Sequence, residues 1–290
     1  MSDIQNTSLI LEGGTFRTLF TAGVLDVFID EKIELPYIVA ISAGAINACS
    51  YVAGQKERTL RILSTYRHDK RYMGIGNFLK ERSYFGLNFA YNILPNELDI
   101  FDWEKYRNFG GKLEFGVTNA YTGEVEYMNA LEMDTHCTML QATCALPVLF
   151  PEIKVNGVPY YDGGLSDPIP VKQAERQGYD KHIFVLTRPQ GYRKEMDGKS
   201  KWVMKFFARK YPKLALAMAS RAERYNETLA YIESLEKEGR AFIFRPDHAL
   251  NSFEKHIPTM HQNYKMGYEQ AQNRMDELKA FLNQKTLNYS

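Results

Sequence analysis

Residues 8–53 alternate strand, glycine turn, helix, strand, serine turn and helix, and this alternation is what most constrains the fold. Ser8-Leu9-Ile10-Leu11-Glu12 is a short apolar strand that runs into Gly13-Gly14. Residues 18–30 then place Leu19, Val24, Leu25, Val27 and Phe28 at helical spacing. Tyr37-Ile38-Val39 opens a second strand ending near Ile41, and residues 43–53 form a helix of small residues behind it. Strands separated by helices pair in parallel, because each helix must carry the chain back across the sheet before the next strand starts. Such crossovers are right-handed. The expected fold class is α/β, with three α/β/α layers around a mostly parallel central sheet.

The rest of the chain continues the pattern with less regularity. Residues 56–66 read as an amphipathic helix. Residues 67–110 are weakly patterned and aromatic (Tyr72, Phe78, Tyr84, Phe85, Phe89, Tyr91), and read as short helices and loops capping a site. Strands are expected at 113–119 and 124–128, and a helix at 134–145 stopped by Pro147. Asn156-Gly157 marks the turn of a hairpin over 155–161. Pro168 and Pro170 open the next helix. A buried strand at 182–186, helices up to 237, a late strand at 241–244 and a closing helix at 264–282 complete the chain. No repeat or low-complexity linker interrupts it.

Charge and cysteine content exclude several classes. Across 290 residues the net charge is +1, so nothing points to nucleic acid as a partner. Cys49, Cys137 and Cys144 are odd in number and show no zinc or redox spacing, so they read as buried thiols in a reducing compartment. The N-terminus lacks the basic start and long apolar stretch of a signal peptide. No segment approaches the ~20 apolar residues that span a bilayer. The expected location is the cytoplasm, with any membrane contact peripheral.

Three short motifs carry the chemistry. Ala40-Ile41-Ser42-Ala43-Gly44 sits at the strand-to-helix turn. Small residues flank Ser42 because the turn is tight and the following helix packs closely, as in G-x-S-x-G nucleophile turns. The helix N–H groups favour negative charge there. The competing reading is a serine that only N-caps the helix. Glu12-Gly13-Gly14-Thr15-Phe16-Arg17 is a loop whose backbone N–H groups can hold an oxyanion. It lacks the Gly-Lys-Ser/Thr ending of a phosphate loop and the third glycine of a dinucleotide fingerprint. A plain tight turn remains the alternative. Asp162, ahead of Gly163-Gly164, is either an Asx turn or a carboxylate that takes the serine proton. A histidine triad ranks second, because His182, His248, His256 and His261 follow the acid but none lies in a small-residue turn.

With these motifs and their order, the sequence resembles the patatin-like phospholipase family over roughly residues 8–190. Ala142–Pro151 and Asp167-Pro168-Ile169-Pro170 add to the likeness. The resemblance implies a patatin-like serine acyl hydrolase core over 1–190 and a mainly helical extension over 191–290 packed on it. It implies a Ser–Asp dyad of Ser42 and Asp162. It assigns Gly13, Gly14 and Thr15 to the oxyanion loop, with Arg17, Gly44, Gly163 and Gly164 in support. It implies an acyl-lipid substrate and neither metal nor cofactor. Thr15, Thr18 and Ala40 stand where the family has glycine, so a catalytically impaired lipid-binding protein stays open beside the hydrolase, as does an acyltransferase. Lys199, Lys201, Lys205, Arg209, Lys210 and Lys213, interleaved with Trp202, Val203, Phe206 and Phe207, suit a helix at an anionic membrane surface. A surface helix packed on its own domain through those aromatics is the favoured alternative.

Overall fold

In the computed structural model, residues 3–196 and 198–284 are described; the side chains of Asp3, Lys199, Ser200 and Lys201 lie outside that description. Among the described residues the sheet has eight strands: β1 (Thr7–Leu11), β2 (Tyr37–Ile41), β3 (Lys112–Asn119), β4 (Val125–Asn129), β5 (Ile153–Val155), β6 (Val158–Asp162), β7 (Lys181–Val185) and β8 (Ala241–Phe244). β3, β2, β1, β7 and β8 run parallel in that order. The β4, β5 and β6 pairings are antiparallel, so the sheet is mixed, with its parallel part at the centre.

The central strands are apolar on both faces, as a sheet covered on both sides requires. Leu9 and Leu11, Ile38 and Ala40, Ile183 and Val185, and Phe242 and Phe244 point into one core. Ile10, Tyr37, Val39, Phe184 and Ile243 point into the other. The first core is closed by helices Leu19–Asp30, Ala43–Val52 and Ile257–Asn273, and the second by Val171–Arg176 and Arg221–Lys237. Three α/β/α layers result. Residues beyond 190 contribute both helices and a sheet strand. Helix Ile257–Asn273 lies against Leu19–Asp30 where Gly23 and Gly267 bring the two backbones together; a Cβ on either would strike the opposing main chain.

Local chemistry moves several boundaries away from the periodicity. The helix expected over 134–145 covers only Thr138–Cys144, because the Asp134 carboxylate accepts the N–H of His136 at 2.8 Å and ties the preceding residues into a turn. The closing helix begins earlier, at Ile257, with Pro258 in its first turn, and breaks at Arg274 before Met275–Asn283. Arg274 turns back there, donating to the Ile243 carbonyl at 2.6 Å. Asn156 and Gly157 both have positive φ, 50° and 82°, as a two-residue hairpin turn demands. Residues 67–110 form helix Gly76–Glu81, a π-helical stretch Phe89–Leu98 containing Pro95, and Trp103–Arg107.

Candidate active site

Register explains how Ser42 and Asp162 meet across 120 residues of sequence. β4 pairs with residues 114–118 of β3 and therefore occupies one whole edge of that strand. β2 and β6 must both use the other edge. β2 ends there with Ile41 opposite Gly116, and β6 ends with Asp162 opposite Val117. The two strands thus abut end to end, one delivering Ser42 and the other Asp162.

Ser42 sits at φ 54°, ψ −130°, a strained conformation for a residue with a side chain. Its hydroxyl makes no capping bond to helix Ala43–Val52, so the capping alternative does not describe it. Its N–H donates instead to Thr143 Oγ1 at 2.9 Å, and Thr143 donates on to the Gly116 carbonyl at 2.7 Å. That clamp fixes the turn to β3. Gly44 permits the helix to start directly against β1, because a Cβ there would lie 2.8 Å from both the Leu11 and Glu12 carbonyl oxygens. These are backbone atoms with little room to yield. Gly44→Ala is therefore expected to destabilise the protein by about 1–3 kcal/mol; urea unfolding measures this, and an unchanged midpoint would show that the helix can back away freely.

Asp162 is buried, and its Oδ1 accepts the Gly164 N–H at 2.8 Å. Burial raises its pKa above the usual carboxylate value. The Ser42 hydroxyl, the Arg221 charge and the Gly164 N–H work in the opposite direction. Ser42 and Asp162 nevertheless fall short of hydrogen-bond geometry: Oδ2 is buried with no partner among the described residues. Arg221 donates from Nε to the Gly164 carbonyl at 2.6 Å, and a Cβ on Gly163 would run into the Gly116 carbonyl. These contacts hold the acid turn against β3.

The glycine loop lies against the serine. A Cβ on Gly13 would be 2.7 Å from Ser42 Cβ, and one on Gly14 would be 2.8 Å from Thr187 Oγ1. Thr15 has φ 50°, which costs a β-branched residue about 1–2 kcal/mol. Its hydroxyl partly offsets this by bonding the Gly14 carbonyl at 2.6 Å and the Ser252 carbonyl. Arg17 braces the loop from below, donating to Ser252 Oγ and Thr187 Oγ1. Buried Glu12 accepts the Thr187 N–H at 2.6 Å and the Tyr225 hydroxyl at 2.9 Å. The N–H groups of Gly13, Gly14 and Thr15 have no protein acceptor among the described residues.

Beside Ser42 opens an apolar cavity of about 120 Å³ lined by Phe16, Ile46, Tyr72, Phe85, Tyr91 and Phe150, among others. Tyr72, Phe85 and Tyr91 of the aromatic segment line this pocket; Phe78, Tyr84 and Phe89 do not. Among the described residues no histidine lines it. His182 pairs with Ser8 and so stands level with Tyr37, about 16 Å below Ser42 along the strand direction. Its ring bonds Ser8 Oγ at 2.8 Å, and burial lowers its pKa to about 4. All three cysteines are buried free thiols, and burial pushes the Cys49 thiol up to about 12. Trp202 and Phe206 stack on each other at 62% and 65% exposure, while Phe207 is buried against Tyr161. The basic helix therefore packs through one aromatic and exposes two. No described helix is long and apolar enough to cross a membrane.

Motif spacing did not reveal Thr143, Thr187, Tyr225, Arg221 or Ser252. Thr143 falls within the 142–151 block already singled out. The others lie in ordinary segments and reach the site only through the fold.

Comparison with known proteins gives the family. The patatin-like phospholipase family model matches residues 9–175, and a domain of unknown function (DUF6363) matches 211–283. Uncharacterized protein YjjU of Escherichia coli (strain K12) is 22% identical over 280 residues, covering 90% of this chain and 74% of its own. The crystal structure of VipD from Legionella pneumophila is similar at a TM-score of 0.47 and 15% identity, over 94% of this chain and 67% of that one. Since the family match spans more than half of its length, this chain belongs to the patatin-like phospholipase family.

Proposed function

We propose that the protein is a serine-dependent acyl-ester hydrolase of lipids that uses Ser42 and Asp162 without a histidine. The observation that carries this is the unpartnered, buried Asp162 Oδ2 at the strand end that abuts the Ser42 turn, beside an apolar cavity. Ser42 Oγ attacks the ester carbonyl and its proton passes to the Asp162 carboxylate. The carbonyl oxygen becomes an oxyanion, held by the N–H groups of Gly14 and Thr15, with Gly13 and Arg17 setting the loop. Collapse breaks the ester C–O bond, and Asp162 returns the proton to the departing alcohol. Water then attacks the acyl-serine, losing a proton to Asp162, and the fatty acid leaves as Ser42 recovers its hydrogen. The acyl chain lies in the cavity. The exposed Trp202–Phe206 pair suits peripheral contact with aggregated lipid.

Covalent labelling by a fluorophosphonate, located on Ser42 by peptide mass, tests this. No labelling of the folded protein would overturn it and favour a second reading, a lipid-binding protein slowed by the left-handed Thr15. Gly13→Ala checks the loop: its Cβ must displace Ser42 or the loop, and misplacement of about 1 Å costs roughly 10²-fold. The expected result is that loss in kcat/KM for a soluble acyl ester with a retained melting transition; a wild-type rate would show that the loop does not confine the nucleophile.

A further inference from the structure

Four cations, Arg17, Arg188, Lys194 and Arg221, lie within electrostatic reach of one another, and none of them lines the cavity. Residues 188–196 follow β7 and pass over the start of helix Arg221–Lys237. Asn226 clamps them there: Lys194 N–H donates to its Oδ1 at 2.7 Å, and its Nδ2 donates to the Lys194 carbonyl at 3.0 Å. Tyr192 packs edge-on against Tyr225 at 5.9 Å. The Arg188 guanidinium lies 4.4 Å from the Tyr192 ring centre, and Lys194 Nζ 5.5 Å from that of Tyr225. Arg221 is bonded to Gly164, beside Asp162. Arg17 lies against Gly14.

Among the described residues two carboxylates act on these four charges, Asp162 on Arg221 and Glu12 on Arg17 and Lys194. Among the described residues, none of Arg17, Arg188, Lys194 and Arg221 forms an ion pair with a carboxylate. Glu12, within electrostatic reach of Arg17 and Lys194, is already engaged by the Thr187 N–H and the Tyr225 hydroxyl. Burial, together with repulsion from Arg221, Arg188 and Arg17, lowers the Lys194 pKa to about 8. A clamped, half-buried set of like charges is costly unless an anion joins it. Guanidinium groups match phosphate oxygens in pairs.

We propose that Arg188, Lys194 and Arg221, with Arg17, form a headgroup site, and that the preferred substrates are acyl lipids with a net-negative phosphate headgroup. This rests on Ser42 as the nucleophile. The cavity belongs to the first core and Tyr225 to the second, so the Ser42 turn stands between an apolar and a basic compartment. An amphiphile with its ester at Ser42 would place its chain in one and its phosphate in the other.

The test is calorimetric binding to the Ser42→Ala protein of dihexanoyl phosphatidic acid and dihexanoyl phosphatidylcholine, each below its micelle concentration. The expected result is at least about tenfold tighter binding of the anionic lipid, a difference of about 1.4 kcal/mol. The double variant Arg188→Gln Lys194→Gln should erase the preference. Lys265→Gln Lys279→Gln, which removes the same charge at exposed positions of the two last helices, should not. Equal affinities, a preference that survives the first double variant, or equal loss in the second would overturn the site. Glycerol 3-phosphate binding as tightly as the lipid would overturn the lipid assignment in favour of a soluble phosphate ester. Fluorophosphonate labelling of the wild type separates the two levels: labelled Ser42 with no headgroup preference sinks the headgroup site alone, whereas an unlabelled serine sinks the hydrolase reading.

Discussion

Ser42→Ala is expected to lower turnover of an acyl ester by at least about 10⁴-fold, the scale on which removal of a serine nucleophile acts in other hydrolases. The fold should survive. The Ser42 hydroxyl caps nothing, and the contact that fixes the turn is made by the Ser42 N–H to Thr143, which alanine retains. Alanine at φ 54° meets much the same backbone strain as serine, so unfolding free energy should stay within about 1 kcal/mol of wild type. Rate measurements on a short-chain ester, paired with thermal melts, check both parts. Residual activity above a few per cent in the folded variant would mean that another group attacks the ester.

Asp162→Asn is expected to separate activity from stability. Without a carboxylate to accept the serine proton, kcat/KM should fall by about 10³–10⁴-fold. Stability should respond in the opposite sense, and with a definite pH dependence. Burial raises the folded-state pKa above 3.8, the ordinary value of the unfolded chain. Below 3.8 the carboxyl is protonated in both states, and the variant differs from wild type only in local packing. As pH climbs from 3.8 through the raised folded value, the wild type must form a buried carboxylate while the amide stays neutral. The stability of the variant relative to wild type should therefore increase over that window and level off above it. Urea titrations at a series of pH values measure the difference. A difference that shrinks with rising pH would mean that the folded protein favours the carboxylate. The same raised pKa predicts that wild-type kcat/KM falls on acidification at a higher pH than an ordinary aspartate would give, because Asp162 must be ionised to act as base.

Legibility differed between local and non-local features. The strands at Tyr37–Ile41 and Ala241–Phe244 match the sequence expectation because short apolar runs of four or five residues, rich in β-branched and aromatic side chains, suit a strand buried on both faces. Periodicity overextends helix 134–145 because Asp134 uses its side chain to hold a turn, a competition that apolar spacing does not register. The apolar spacing of the closing helix continues unbroken across Arg274, where a tertiary bond to Ile243 accompanies the break.

The sequence by itself determined the layer order, the serine at a strand-to-helix turn, the glycine loop and the acidic turn, because each depends on contacts between near neighbours in the chain. Only the tertiary structure decided how those pieces meet. β2 and β6 share one edge of β3 because β4 occupies the other, and that competition brings Ser42 to Asp162. Thr143, Thr187, Ser252 and Arg221 join the site through single hydrogen bonds made across long stretches of chain. A lone threonine or arginine is compatible with many surroundings, so its residue type carries no signal of such a bond until the chain has folded.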